Sequence, residues 1–246
     1  MPHFTQYKIT LHPEGPLTGW LGHLLHGALF TRIDETNPAL GQVLHDQNRK
    51  PFSLRYTLRE GAIELFVNVW DDALRAAIPA AFLVGSYARL SQTNARIVSV
   101  VLQGQLRGNG PAPCKSLCLR FITPTCFQSN GRTLLFPEGR LLCESLRRDW
   151  VIAGGGAVPD DAIVAMGAAL YPTGYQLQTE KAEFGKFALY GFRGTCEYAI
   201  DPALSPELRA KLWQMLCALP YTGVGYKTAQ GMGAVVVDSG GKIFYN

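Results

Sequence analysis

Histidine is the side chain best suited to move protons near neutral pH, and the five histidines of this 246-residue chain all lie within its first 45 residues. His45 stands at the end of a short predicted helix, and Arg49 and Lys50 follow it closely. An imidazole beside cations offers what phosphodiester cleavage needs, because one group moves a proton while the others stabilise negative charge at phosphorus. The alternative is a helix C-terminus at which histidine and lysine favour the helix dipole.

The first predicted helix carries a second candidate for proton transfer. His23 and His26 are three residues apart on this helix and could share one face. As a metal site the pair would lack a third ligand. His26 is a candidate for a catalytic role, and the alternative is a helix face that is simply exposed to solvent. His3 and His12 belong to or flank the first predicted strand, where exposed polar residues are ordinary.

A glycine-rich stretch near the end of the chain, GVGYKTAQGMG at residues 223–233, follows a predicted helix and leads into a strand. We call it the glycine loop. Glycines leave the backbone bare, so its N–H groups could turn toward a phosphate. The order of elements is neither that of a P-loop nor that of a dinucleotide fingerprint, and the alternative is a connection without a ligand. The residues predicted to contact a phosphodiester backbone here are Gly223, Gly225, Lys227, Thr228, Gly231 and Gly233.

Composition limits the class of protein. A hydrophobic content of 47% with 17% charged residues predicts ordered cores, and a net charge of +4 permits a polyanionic partner. No long apolar run predicts a membrane span, so a soluble cytoplasmic protein is expected. The six cysteines, of which only Cys114 and Cys118 are close in sequence, are expected to be reduced core residues. No cofactor and no metal site is expected, since no zinc-site spacing occurs.

Hydrophobic periodicity predicts an α+β fold in which a β-α-β-β-α-β order occurs twice. The predicted elements of the first half are strands at 3–12, 52–58, 62–70 and 94–106 and helices at 20–33, 38–46 and from 71 to about 85. The predicted elements of the second half are strands at 114–122, 176–184, 186–200 and 234–237 and helices at 137–150, 161–170 and 202–219. A glycine- and proline-rich linker at 107–113 separates them. The sequence therefore predicts two tandem ferredoxin-like domains, residues 1–110 and 111–246.

This organisation, together with the glycine loop, resembles the CRISPR-associated repeat-cleaving endoribonucleases, the Cas6 family of the RAMP superfamily. The further segments that carry the resemblance are HGALF at 26–30, NPAL at 37–40, KPFS at 50–53, FITPT at 121–125 and GFRG at 191–194. The resemblance implies metal-independent cleavage of the CRISPR repeat in precursor RNA. In that reaction a ribose 2′-hydroxyl attacks the adjacent phosphate and leaves a 2′,3′-cyclic phosphate.

The resemblance also implies roles for particular residues. The histidine that follows the Asn-Pro segment in some members corresponds to His45, and their nearby lysine corresponds to Lys50 or, with a one-residue slip, to Arg49. His26 lies one position from the usual first-helix site of other members and competes with His45. A tyrosine that assists in some relatives corresponds to Phe30, so one hydroxyl is missing here.

RNA affinity is predicted to depend on the glycine loop and on basic side chains such as Arg193, Lys227, Arg147 and Arg148. The main alternative is a non-catalytic RAMP-type RNA-binding subunit of a CRISPR effector complex, which would not need the cluster of His45, Arg49 and Lys50. A small-anion-binding metabolic enzyme is a more distant alternative. The expected partner is CRISPR repeat RNA, while other effector subunits and a homodimer remain open.

Overall fold

The computed structural model describes residues 1–107, 114–185, 187–238 and 243–244, which form two antiparallel five-stranded sheets and a two-stranded ribbon. The first sheet has the strand order β2-β3-β1-β5-β4, and helices α1 to α3 belong to the same half of the chain. Its elements are β1 (His3–Pro13), α1 (Gly22–Thr36), α2 (Pro38–Asp46), β2 (Phe52–Arg59), β3 (Ala62–Val69), α3 (Asp72–Ala81), β4 (Tyr87–Leu90) and β5 (Thr93–Arg107).

The second sheet has the order β12-β11-β6-β10-β9. Its half of the chain consists of β6 (Ser116–Thr125), β7 (Phe127–Ser129), β8 (Arg132–Leu134), α4 (Gly139–Ile152), α5 (Asp160–Ala169), β9 (Leu170–Glu183), β10 (Ala188–Ile200), α6 (Pro206–Cys217), α7 (Leu219–Thr222), a 3-10 helix (Thr228–Gln230), β11 (Val235–Asp238) and β12 (Ile243–Phe244). In the first sheet β1 lies between β3 and β5, and in the second sheet β6 lies between β10 and β11. This is the ferredoxin-like arrangement, and the predicted α+β fold with two such domains is confirmed.

Local sequence sets where the helices near the site begin. The Asn37 side chain accepts a hydrogen bond from the Leu40 amide at 3.1 Å, and Pro38 occupies the first turn of α2, where no backbone donor is needed. The amphipathic helix α1 buries Leu25, Leu29 and Ile33 in the core of the first domain. Only Asn37 separates the end of α1 from the start of α2, and the last turn of α2 carries His45.

Several boundaries differ from those predicted. Strand β9 starts at Leu170, because Pro172 and Gly174, which look like turn residues, are tolerated on the edge strand of the sheet. The helix predicted at 202–219 begins at Pro206, after the Ser205 side chain caps it, and continues as the separate α7. The short strands β4, β7 and β8 were not predicted. The predicted linker residues 108–113, the domain boundary at 110/111 and the predicted strand start at 186 lie outside the described residues.

The two domains share an apolar contact. Phe4 and Trp70 of the first domain form one buried cluster with Ala218 and Tyr221 of the second. The Ser53 hydroxyl donates to the Tyr221 carbonyl at 2.5 Å within this contact. All six cysteines are free; four of them are buried as predicted, whereas Cys114 and Cys118 are only partly buried. Among the described residues, none of the helices combines the length and apolar character that crossing a membrane requires.

Candidate active site

A cleft of about 260 Å³ opens where the glycine loop of the second domain meets α1 and the α2–β2 connection of the first. We call it the interdomain cleft. Its lining consists of His26, Asn48, Arg49, Lys50, Tyr226, Lys227, Thr228, Ala229 and Gln230. The structure thus brings three of the four predicted catalytic residues together with the predicted loop.

Side chains near the start of α1 hold this helix against the glycine loop. The Trp20 indole N–H donates to the Gln230 carbonyl at 3.0 Å, and His26 Nδ1 lies 2.9 Å from the Ala229 carbonyl oxygen. Gly22 makes the approach possible, since a Cβ at this position would lie 1.9 Å from the Gln230 oxygen. The first domain therefore binds the loop through main-chain oxygens.

The ring of His26 is half-buried between Phe30 and Phe52, with centroid distances of 4.8 and 5.8 Å. Burial lowers the pKa of His26 to about 4, the bond to Ala229 opposes this shift, and the nearby charges of Lys50, Lys227 and His45 add to it. The ring is therefore neutral near pH 7. Its Nδ1–H donates to the Ala229 carbonyl, and its lone pair is on Nε2.

We expect acidification to destabilise the fold through His26. Its pKa falls from an ordinary 6.5 to about 4 on folding, so the stability contributed by the neutral ring is complete above about pH 6.5 and is lost as the pH falls toward 4. Urea unfolding at several pH values in this window measures the loss. His26→Asn keeps a donor near the position of Nδ1 and should lose less stability over the same window. Equal losses in both proteins would contradict the assignment.

His45 lies in the last turn of α2 with a half-exposed side chain. Its Nε2 is 3.3 Å from Asp34 Oδ2, and its ring centroid is 4.5 Å from that of Phe30. Phe30 is thus in contact with both imidazoles. The two competing histidines belong to one cluster, with the more exposed one oriented by a carboxylate.

Lys50 fixes the end of the helix that carries His45. Its Nζ donates to the carbonyls of Leu44 at 2.6 Å, His45 at 3.2 Å and Gln47 at 2.6 Å, and it lies 5.5 Å from the centroid of the Phe30 ring. Burial lowers the pKa of Lys50, and the charge of Asp46 opposes this. Because carbonyls at and just after the end of α2 occupy its three donors, Lys50 acts on the cleft through its charge and through the placement of His45.

Arg49 connects the domains. Its Nε donates to Asp149 Oδ1 at 2.8 Å, its Nη2 bonds the other oxygen of that fully buried carboxylate, and its Nη1 lies 3.4 Å from the Gly225 carbonyl oxygen. Burial raises the pKa of the Asp149 carboxyl, and the Arg49 guanidinium opposes that rise. With its guanidinium committed in this way, a direct role for Arg49 in charge stabilisation finds no support in its contacts.

The glycine loop uses most of its amides within the protein. These bonds run from Gly223 to the Leu219 carbonyl, Val224 to Gly233, Gly225 to the Ser145 hydroxyl, Tyr226 to Cys126, Gly231 to Thr228 and Gly233 to Pro124. The glycines are needed for close packing, since a Cβ on Gly225 would lie 2.3 Å from the Cys126 oxygen and one on Gly233 2.0 Å from the Val224 oxygen. The expected open cradle of amides is therefore absent at these glycines. The amides of Gln230 and Met232 donate to the Lys227 carbonyl at 2.9 and 3.3 Å. These bonds leave out the amides of residues 227–229.

Two side chains of the loop were predicted to contact phosphate, and they differ in accessibility. Thr228 is buried although it lines the cleft, and its methyl group packs near Gly223 and Gly233. Lys227 has a left-handed backbone, and its Nζ donates to Gln230 Oε1 at 3.1 Å. Burial lowers the pKa of Lys227. Lys227 is the loop residue that offers a cation to the interdomain cleft.

A second hollow of about 230 Å³ continues the cleft along α4. It shares Arg49 and Tyr226 with the interdomain cleft and adds Arg147 and Arg148. Arg193 is elsewhere, in a broad hollow of about 670 Å³ on the second sheet together with Arg120, and its guanidinium lies 3.2 Å from Glu180. Within the described ranges, no three His, Cys, Asp or Glu side chains are grouped to hold a metal ion.

Two ferredoxin-like domains with a basic cleft at a glycine-rich junction form a RAMP-like fold. A family model described as CRISPR-associated endoribonuclease Cas6 matches residues 119–235. A Mycobacterium tuberculosis protein of that name is 24% identical over 96% of this chain and 79% of its own length. A Streptococcus thermophilus protein of the same name is 28% identical over 48% of this chain and 49% of its own length.

Solved structures agree with these sequence matches. A structure titled as a Cas6 product complex has a TM-score of 0.82 at 27% identity and covers 96% of this chain and 100% of its own. A second Cas6 product complex has a TM-score of 0.82 at 25% identity and covers 96% and 99%. Together, these matches show that the chain is similar to CRISPR-associated Cas6 endoribonucleases in sequence and in fold.

Proposed function

We propose that this protein cleaves CRISPR repeats in precursor RNA by a metal-independent attack of a ribose 2′-hydroxyl, which leaves a 2′,3′-cyclic phosphate and a 5′-hydroxyl. The observation that carries the proposal is the cluster in which His26, His45 and Lys50 surround Phe30 beside the interdomain cleft. Two similar Cas6 structures are titled product complexes and another a substrate mimic complex, which supports RNA as the ligand of this cleft.

His45 is the proposed acid-base residue. It is the more exposed of the two histidines, so a ribose or a leaving oxygen can reach its ring. Asp34 holds Nε2, which leaves Nδ1 for the substrate, in the way that a carboxylate orients a catalytic imidazole. His26, with its Nδ1 committed to Ala229, is proposed to position the glycine loop.

Positive charge near the phosphate is proposed to come from Lys227 and Lys50. Both charges lie close enough to His26 to lower its pKa, which supports their presence at one site. Lys227 has donors beyond its single bond to Gln230 and can contact a non-bridging oxygen directly. Lys50 contributes through space. Arg147 and Arg148 extend the positive surface along the RNA.

Replacing Lys227 with alanine is expected to weaken RNA binding through loss of one phosphate contact. The slope of log affinity against log salt concentration should fall by about one unit. Lys115, an exposed lysine next to the start of β6, provides the matched control, and Lys115→Ala should leave the slope unchanged. An unchanged slope in Lys227→Ala would assign the loop a structural role alone.

The reaction is tested with repeat RNA from the protein's own source, incubated in an excess of chelator. A single cut with a cyclic phosphate terminus is the expected product. A 2′-deoxy substitution at the cut site should abolish cleavage while the RNA still binds. Cleavage that requires added metal, or that proceeds on the 2′-deoxy RNA, would refute the mechanism.

The second candidate function is a non-catalytic RNA-binding subunit of a CRISPR effector complex, which the same assay tests. Binding without any cut would favour it. Copurification tests association with effector subunits, and the molecular mass in solution tests association with a second copy of the chain.

A further inference from the structure

The tip of the β9–β10 hairpin carries a parallel pair of aromatic rings. Phe184 and Phe187 have centroids 5.2 Å apart and planes 7° apart. The Phe184 amide donates to the Phe187 carbonyl at 2.8 Å. Phe184 is buried, with Trp20 and His23 in contact with it from α1 and the segment before it, whereas Phe187 is 49% exposed. The outer ring of the pair is therefore a flat apolar surface with a rigid backing.

Lys227 connects this pair with the interdomain cleft. Its Nζ lies 5.3 Å from the ring centroids of Phe184 and Phe187 and 5.2 Å from that of Tyr226. Tyr226 is 40% exposed and, like Lys227, lines the cleft. A cation beside exposed aromatic rings is the combination that binds single-stranded nucleic acid, since phosphate contacts the cation and a base stacks on a ring.

We propose that Phe187, backed by Phe184 and flanked by Tyr226 and Lys227, is a stacking platform for one unpaired nucleobase close to the phosphate that occupies the interdomain cleft. The proposal rests on the proposed function and names a subsite for it. Every base has a flat π surface, so the platform accepts any base but requires that the base be unpaired. The protein would thereby select a single-stranded position beside the cut.

The test measures binding of non-cleavable repeat RNA with a 2′-deoxy nucleotide at the cut site, so it needs no catalysis. Phe187→Leu removes the π surface and keeps apolar bulk, and it is expected to weaken binding by roughly 5- to 150-fold with an unchanged salt slope. Phe187→Trp should bind at least as well as the unaltered protein. Tyr175→Leu is the matched control, because Tyr175 is 64% exposed on the same hairpin, and it should bind normally.

A scan of RNAs with one abasic nucleotide identifies the base. Removal of one particular base should weaken binding to the unaltered protein as much as Phe187→Leu does. The same abasic RNA should bind Phe187→Leu no more weakly than intact RNA does, as expected when the base and the ring form one contact. 2-Aminopurine at the same position should be quenched by the unaltered protein and not by Phe187→Leu.

The platform would be refuted if Phe187→Leu bound RNA with normal affinity. It would also be refuted if every abasic nucleotide weakened RNA binding by Phe187→Leu as much as it weakens binding by the unaltered protein. The exposed rings would then be a surface for another partner, such as a protein. A protein that binds these RNAs with the expected abasic pattern but never cuts the unmodified repeat would refute the proposed function alone. A protein that binds no repeat RNA would refute both.

Discussion

Replacing His45 with alanine is expected to slow cleavage of repeat RNA by about 10²–10⁴-fold, the usual contribution of general acid-base catalysis. RNA affinity should stay nearly unchanged, because the proposed binding surface lies mainly around the glycine loop. Single-turnover cleavage with a filter-binding measurement on 2′-deoxy RNA separates the two effects. Asp34→Asn should cause a smaller loss, because it keeps a polar partner for Nε2.

Two variants make this prediction specific. Val43→Ala alters an exposed residue of the same helix and should cut normally. His26→Asn keeps a donor for the Ala229 carbonyl and should retain cleavage within about tenfold, since it removes no proton-transfer group under our assignment. Normal cleavage by His45→Ala combined with loss in His26→Asn would move the catalytic assignment to α1, and normal cleavage by both would exclude histidine catalysis.

Replacing Arg49 with methionine is expected to destabilise the protein severely, because it leaves the fully buried Asp149 carboxylate without its partner. Removal of one member of a buried ion pair costs about 3–5 kcal/mol, and the nearby Arg148 charge should keep the loss toward the lower end. Urea unfolding gives the change in free energy of unfolding. The substitution should weaken the contact between the two domains in particular, since Arg49 also approaches the Gly225 carbonyl.

The double variant Arg49→Met with Asp149→Leu provides the control for this ion pair. It should recover most of the lost stability, because no charge remains buried without a partner. Arg140→Met, which breaks the exposed pair with Glu144, should change stability little. If Arg49→Met alone is as stable as the unaltered protein, the ion pair does not hold the domains.

The fold was largely predictable from sequence because each helix and main strand has its own periodic signal. The capping residues Asn37 and Asp71, for example, mark the starts of α2 and α3 as local features that need no tertiary information. The starts of β9 and α6 were misjudged. Strand β9 lies at the edge of its sheet, where the turn preference of Pro172 and Gly174 does not prevent a strand. A local sequence pattern does not predict the position of a strand within a sheet.

Sequence predicted which candidate residues lie near each other better than it predicted their contacts. Sequence spacing placed His45 and Lys50 near each other, since they flank the same helix end. It could not pair Arg49 with Asp149, because the two lie a hundred residues apart and meet only after the domains dock. For the same reason Phe184 and Phe187 gave no functional signal, because only folding brings Lys227 to their rings.

Four side chains of the first domain, Trp20, His26, Arg49 and Ser53, contact main-chain carbonyls of the second domain, those of Gln230, Ala229, Gly225 and Tyr221. Every amino acid supplies such a carbonyl, so substitutions at exposed loop positions such as Tyr226 and Lys227 can change what the cleft recognises without disturbing how the domains dock. Exposed residues of the cleft can therefore be substituted, in evolution or by design, to change which ligand binds. The packing of the two domains should stay the same.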